Sequence, residues 1–367
     1  MINNKYVAVV VPAYNEENQI AGVIETMPLF VDKIIVVNDC SSDKTEEIIK
    51  SFWQTDFNKG IPIQNLLEEK ISESKFDKAS RYLHEQMKEE IKYFIPSKVQ
   101  NIFPVTDRII LINQMKNSGV GAAIARGYKW CKDHGIACTA VMAGDGQMDP
   151  SELESICNPV LFDNIDYVKG NRLIHRSALL IIPKVRYFGN SILSILTKIA
   201  SGYWHVSDTQ SGYTAISYKA LNSISLNKIY KKYGMPNDML VKLNIAFCTL
   251  KEVEIKPVYD IGEKSKMNIS IVIPKISWLL LKCFFKRLWV KYLFRDFHPL
   301  FLLYNMGFVM IALSIPYLIK ITRLMFSGIT VGTLPVLAFV FLFTTGIQFA
   351  LFAMWMDMLV NERLYKS

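Results

Sequence analysis

The sequence predicts an α/β domain with a parallel sheet, followed by interfacial helices and a pair of membrane-spanning helices. Three observations carry that expectation. Over roughly the first 170 residues, short β-branched runs alternate with helical stretches, the mark of βαβ units. A stretch rich in Trp, Phe, Leu and Lys follows at 267–297. Beyond it lie two runs without a single charge, Leu300–Ile319 and Leu334–Trp355.

Taken in order, the α/β domain is expected over 1–266. Its strands are predicted at Tyr6–Val11, Lys33–Asn38, Arg108–Ile112, Thr139–Ala143 and Asp166–Lys169. Helices are predicted at Asn18–Met27, Lys44–Ser51, Gly121–His134 and Pro150–Cys157. Ser42 or Asp43 suits the N-cap of the second helix, with Glu46 and Glu47 in its first turn. Between the second and third strands an insert, Trp53–Thr106, reads as charged and mostly helical. Within it Ser80–Phe94 brings Tyr82, Leu83, Met87, Ile91 and Phe94 near helical spacing, opposite a polar face. A segment this long seldom stays without structure, so it reads as a structural or partner-binding elaboration.

The apolar share of 51% and a mean hydropathy of +0.19 are high for a soluble chain. Each uncharged run has about 20 residues, which at a rise of 1.5 Å matches a hydrocarbon core of about 30 Å. A buried core helix is the alternative, although such helices rarely lack a polar face. Pro316 and Gly346 are both tolerated in membrane helices. In 267–297, Arg287, Lys291 and Arg295 recur at every fourth residue among Trp and Phe. That pattern reads as amphipathic helices in the membrane interface, anchored by Trp278 and Trp289, with a buried soluble helix as the alternative.

Val7–Val11 is too short for a secretory apolar region, and Pro12-Ala13-Tyr14-Asn15 follows at once. Lys282, Lys286, Arg287, Lys291 and Arg295 precede the first span, and Arg363 and Lys366 follow the second. Only Lys320 and Arg323 are expected in the loop between. The positive-inside rule then places both ends, and the α/β domain, on the cytoplasmic side of the inner membrane. The six cysteines show no metal spacing and read as reduced, mostly buried residues. The net charge of +9 is concentrated before the first span. Anionic headgroups are therefore the nearer partner, and nucleic acid is not expected.

Four motifs carry chemistry. Val9–Glu17 (VVVPAYNEE) ends the first strand in a Pro-bearing turn with an acidic pair. In Ile34–Thr45 (IIVVNDCSSDKT), Asp39 sits just past a buried strand, where an acidic residue binds ribose hydroxyls or a base edge, or simply turns the chain. Asn117–Tyr128 (NSGVGAAIARGY) is rich in small residues that permit close backbone approach. It follows the third strand rather than the first, so an NAD-binding fingerprint is disfavoured. Val141–Pro150 (VMAGDGQMDP) delivers Asp145 and Gln147 onto a turn opened by Gly144 and Gly146. Hard cations such as Mg2+ or Mn2+ take oxygen ligands and often only one or two from protein, with diphosphate oxygens supplying others. Asp149 and Pro150 suit the start of the next helix.

In this order and spacing the motifs resemble glycosyltransferase family 2, and within it the polyprenyl-phosphate branch, the dolichol-phosphate mannose synthase-like enzymes. The resemblance covers 5–51 and 107–265, and the interfacial helices and C-terminal spans resemble those of membrane-anchored bacterial members. It implies a GT-A fold and a nucleotide-sugar donor bound by Pro12, Ala13, Tyr14, Glu16, Asp39, Asn117, Gly121 and Asp145, with Asp145 and Gln147 holding the metal. Gly170-Asn171-Arg172 resembles the family's post-strand Arg motif, which makes Arg172 a phosphate ligand. Asp208–Thr214 (DTQSGYT) is similar to its acidic turn, which puts Asp208 beside the sugar or acceptor, with Asp238 as the rival. Lys264-Ser265-Lys266 resembles the basic end of the catalytic domain.

Three departures matter. Ala143 stands where the family has the first Asp of Asp-x-Asp. Thr214 stands where it has an Arg, so Arg172, Arg176 or Arg186 must meet the acceptor phosphate. The insert has no counterpart. The expected reaction is inverting transfer of a sugar from a UDP- or GDP-sugar to a polyprenyl phosphate at the cytoplasmic face. The alternatives are a polysaccharide- or glycolipid-forming enzyme with a hydroxyl acceptor, and a non-catalytic membrane scaffold. Assembly with further copies of the chain is left open.

Overall fold

A computed structural model describes residues 1–2, 4–69, 71, 74–182, 184–258 and 269–366, without the side chains of 75, 179, 184–186, 188 and 269–272. Five strands fall where the sequence puts them, with ends shifted by at most two residues. They are β1 (Val7–Ala13), β2 (Lys33–Asn38), β4 (Ile109–Gln114), β5 (Cys138–Val141) and β6 (Tyr167–Asn171). Three more, β3 (Ser97–Val99), β7 (Thr214–Ser217) and β8 (Leu250–Glu254), complete one sheet in the order β3-β4-β2-β1-β5-β7-β6-β8. The sheet is therefore mixed rather than parallel. β4, β2, β1 and β5 are parallel, but β3 and β7 run antiparallel to their neighbours. The missed strands are short and half polar, so they lack the continuous apolar run that marks a strand buried on both faces.

Alternation along the strands makes two cores. Ala8, Val10, Ile35, Val37, Ile110 and Ile112 face one way, onto α4 (Val120–Asp133) and α9 (Met235–Ile245). Val7, Val9, Val11, Ile34, Val36 and Leu111 face the other, onto α1 (Ile20–Glu25) and α5 (Leu153–Leu161). α2 is Thr45–Ser51, and it is the Asp43 carboxylate that accepts the Thr45 N–H. In the insert α3 (Lys78–Glu90) turns Arg81, His84, Met87 and Glu90 inward at three-residue spacing. Tyr82, Leu83 and Ile91 stay exposed, contrary to an apolar buried stripe. The contact is polar instead: Lys132 meets Glu90, and Lys129 donates to the Met87 carbonyl.

After β6 the chain forms α6 (Ala178–Ile181), α7 (Lys184–Ser201) and, beyond β7, α8 (Tyr218–Ser223). α10 (Ile269–Trp289) runs on as a π-helical turn to Arg295, and α11 (Pro299–Phe326) and α12 (Thr333–Glu362) form the hairpin. Both hairpin helices are long and apolar enough to cross a membrane, with mean hydropathies of 1.8 and 2.1. Lys320 and Arg323 belong to the end of α11, not to the loop. The basic face expected of 267–297 is also corrected. Trp278 and Trp289 are exposed, but Arg287 and Lys291 are buried. Lys291 donates to Asn244 and Asn361, and Arg287 pairs with Asp357 of α12 at 2.7 Å. Buried charges need such partners, which a headgroup surface would not supply.

The hairpin crosses at two glycines. A Cβ on Gly346 would stand 3.0 Å from the Gly307 carbonyl and 2.8 Å from Ile311, and one on Gly307 would stand 2.9 Å from the Gly346 carbonyl. Close packing of this kind is what holds apolar helices together where no hydrophobic force acts between them. Gly346→Val is expected to lose about 1–3 kcal/mol by overpacking, read as a lower melting temperature in nanodiscs. An unchanged melting temperature would mean that the crossing tolerates a side chain.

Candidate active site

β1 lies at the point where the strand order reverses, with β2 on one side and β5 on the other. Ligands of open α/β sheets bind outside the carboxyl ends of the strands at such a point. Here those ends are joined through the backbone. The Ala13 carbonyl accepts the Asp39 N–H at 2.9 Å, and the Pro12 carbonyl accepts the Gly144 N–H at 3.2 Å. Tyr14–Glu17 is laced to the turn before α2: Asn15 and Glu16 N–H donate to Ser41 and Thr45 hydroxyls, and Ser42 N–H donates to Asn15 Oδ1. Tyr14 remains partly exposed at this edge.

Asp39 is buried, and its carboxylate accepts the Ser118 and Gly119 N–H groups at 2.9 and 2.7 Å. Burial raises its pKa, partly offset by those two donors. Asp39 thus fixes the turn before α4 as well as marking the edge. Asn117 next to it is exposed. Gly121 packs against a neighbouring loop. Its N–H donates to the Lys231 carbonyl, and a Cβ there would stand 2.1 Å from the Tyr230 carbonyl. It is glycine because α4 packs against that loop, a close approach that the small-residue pattern did signal.

The Asp145 turn follows β5. Asp145 Oδ1 accepts the Gln147 N–H at 3.1 Å, and Gly146 between them has φ +75°. Asp149 caps the next turn by accepting the Ser151 N–H. Among the described residues no group of three or more His, Cys, Asp or Glu could hold a metal. One carboxylate on a half-exposed turn fits a divalent ion that draws its remaining oxygens from a diphosphate and water, and does not fit an all-protein cage.

The second half of the site lies at the end of β6. Arg172 donates through Nε and Nη2 to the two oxygens of Asp208, at 2.8 and 3.1 Å. Asp208 also accepts the N–H groups of Arg172, Gln210 and Ser211. Its side chain has no exposure, whereas that of Arg172 retains 23%. Burial alone would raise the Asp208 pKa, but Arg172 and then Lys169 hold it below the usual range. Asp208 is therefore enclosed, and its five donors make it the support of Arg172. Asp238 is also engaged, with the Tyr230 N–H and Lys242. Arg176 is exposed, the side chain of Arg186 is not described, and Lys264-Ser265-Lys266 lies outside the described residues.

Two members escaped the sequence reading. Lys169 on β6 is fully buried beside Asp208 and donates to the Ser211 carbonyl; burial pulls its pKa down to about 8. Glu252 on β8 accepts the Ser207 and Asp208 N–H groups. A lysine inside the run Tyr167–Asn171 was a readable signal, since lysine is rarely buried unless paired. Against this cluster opens a groove of about 330 Å³ lined by Leu173, Ile174, Tyr187, Ile195, Lys198 and Ser207.

The sequence model of glycosyl transferase family 2 matches residues 8–64 and 95–225. The chain belongs to glycosyltransferase family 2. The match spans the β1 edge, Asp39, the Asp145 turn, Arg172 and Asp208, and skips the helix of the insert. Among relatives, the UDP-N-acetylglucosamine–dolichyl-phosphate N-acetylglucosaminyltransferase of Methanococcus voltae is 28% identical, over 70% of this chain and 87% of its own. The undecaprenyl-phosphate mannosyltransferase of Micrococcus luteus is 27% identical over 44% of this chain and 66% of its own. Among solved structures, glucosyl-3-phosphoglycerate synthase of Mycobacterium tuberculosis, in complex with Mn2+, UDP and glucosyl-3-phosphoglycerate, is 16% identical. It covers 77% of this chain and 80% of its own, with a TM-score of 0.47. As a family 2 enzyme with a GT-A sheet, this chain is a glycosyltransferase carrying two apolar C-terminal helices.

Proposed function

We propose that the protein transfers one sugar, with inversion, from a UDP- or GDP-sugar to a polyprenyl phosphate at the cytoplasmic membrane face. The observation that carries this reading is Arg172, gripped by the buried Asp208 carboxylate, with the chain neighbours of both, Leu173 and Ser207, lining a groove that also holds Ile174, Tyr187 and Ile195. Guanidinium recognises phosphate by paired hydrogen bonds, and an apolar groove beside it suits the first prenyl units. The named relatives act on dolichyl and undecaprenyl phosphates.

In the reaction an acceptor phosphate oxygen attacks the anomeric carbon, a C–O bond forms, and the bond to the nucleotide diphosphate breaks on the opposite face. A phosphate monoester is already largely dianionic at neutral pH, its second pKa being about 6. No protein base is then required, which agrees with Asp208 being sealed beneath Arg172. Tyr14, Glu16 and Asp39 would bind the nucleotide at the β1 edge, with Asn117 at its rim. A bound Mg2+ or Mn2+, held by Asp145 and Gln147, supplies positive charge beside the leaving diphosphate.

The test is incubation of the purified membrane protein with radiolabelled UDP- and GDP-sugars, polyprenyl phosphate and Mn2+. A labelled, solvent-extractable lipid is expected; none from any donor would sink the reading. Arg172→Lys keeps the charge but loses the fork. It is expected to lower lipid transfer about 10- to 100-fold while donor affinity by calorimetry stays put. Equal loss of donor binding would move Arg172 to the donor side.

A further inference from the structure

β8 is the edge of the sheet, yet it is covered. The chain that follows α12 returns to it: the Leu250 N–H donates to the Leu364 carbonyl at 2.7 Å, and the Lys366 N–H donates to the Leu250 carbonyl at 2.8 Å. This short parallel bridge centres on Tyr365. The Tyr365 ring packs on His205 at 5.4 Å between centroids, and its phenol borders the Glu252 carboxylate. Glu252 Oε1 in turn accepts the Ser207 and Asp208 N–H groups at 3.0 and 3.1 Å. Asp208 then grips both arms of the Arg172 fork. Contacts run unbroken from the tail of the membrane hairpin to the phosphate-binding arginine.

We propose that Tyr365 is a positioning residue for Arg172, acting through Glu252 and Asp208, so that the tail of the membrane hairpin sets the acceptor side of the site. The proposal rests on reading Arg172 as the acceptor-phosphate ligand. A paired guanidinium–carboxylate contact is directional, so a shift of the Ser207–Asp208 backbone turns the fork away from its ligand. Glu252 holds that backbone, while Tyr365 and His205 wall it from outside. None of the donor-side contacts at Pro12–Glu17, Asp39 or Asp145 described above includes these residues.

The experiment uses the full chain in nanodiscs, with Tyr365→Ala and Tyr365→Phe. Tyr365→Ala is expected to raise the KM for polyprenyl phosphate roughly tenfold and leave the donor KM within about twofold. Hydrogen exchange at the Ser207 and Asp208 amides is expected to quicken. Tyr365→Phe, which keeps the ring on His205, is expected to fall between wild type and alanine. Unchanged exchange at those amides overturns the proposal, as does a parallel rise of both KM values with a lowered melting temperature, the mark of a merely structural role. A wild-type protein that makes no lipid-linked product refutes the acceptor reading alone. The exchange measurement, which needs no acceptor, still decides whether the tail holds the Asp208 loop.

Discussion

Arg287→Ala is expected to lower the stability of the protein by about 3–5 kcal/mol, the usual loss when one partner of a buried ion pair is removed. Arg287 and Asp357 are both almost wholly buried and joined by two hydrogen bonds, at 2.7 and 2.9 Å. Truncation leaves Asp357 hydrogen-bonded to Tyr292, Asn361 and the Trp204 indole, none of them cationic, with Lys291, held on Asn361, as a remaining cation that acts on it. It also uncovers the Ile199 and Ala200 carbonyls at the end of α7, to which Arg287 donates. Helix-terminal carbonyls have no partner within the helix, so this second loss adds to the first. Thermal unfolding in detergent checks the size. The double variant Arg287→Met/Asp357→Leu is expected to recover much of the loss, because an apolar pair carries no uncompensated charge. A single variant within about 1 kcal/mol of wild type would show that water reaches the pair.

The second large effect falls on catalysis. Asp145→Asn is expected to reduce transfer at least about 100-fold, the order seen when a group stabilising developing charge is lost. The reason is specific to this chain: with Ala143 in place of the family's first carboxylate, Asp145 is the acidic residue left on the strand-end turn. The amide keeps the size and can still accept the Gln147 N–H, so the turn is expected to stand. Mn2+ binding in the presence of nucleoside diphosphate, followed by electron paramagnetic resonance, is expected to weaken about tenfold or more. Full activity in Asp145→Asn would remove Asp145 from the metal site.

Legibility in the sequence followed burial. β1 and β2 consist of residues buried on both faces, and both were readable to within two residues because sterics and apolarity agree there. β3, β7 and β8 are short and half polar, and β7 and β8 depend on pairing with strands distant in sequence, which no local pattern encodes. The site divides in the same way. Asp39 and Arg172 stand directly after strands and Asp145 four residues after one, so their place at the sheet edge follows from strand ends alone. The pairing of Asp208 with Arg172 was not readable, because an acidic turn looks the same whether it faces a ligand or a buried arginine. Arg287 and Lys291 misled for a related reason. A lysine or arginine at helical spacing signals a headgroup surface unless a carboxylate from elsewhere meets it, and Asp357 arrives from the far end of the second span.

The bridge between Leu250 and Tyr365 also has a consequence for biogenesis. β8 emerges from the ribosome well before the residues that cover its edge, and both apolar helices are made in between. The sheet can therefore form around β1 early, but the backbone N–H and carbonyl of Leu250 at its edge stay open until the chain beyond the hairpin has been made. An unpaired edge is a template for wrong partners, and a long separation between pairing segments slows their meeting. Completion of the hairpin is thus the final step of folding for the α/β domain as well, and a chain stalled before it would carry a nearly finished sheet with an open edge.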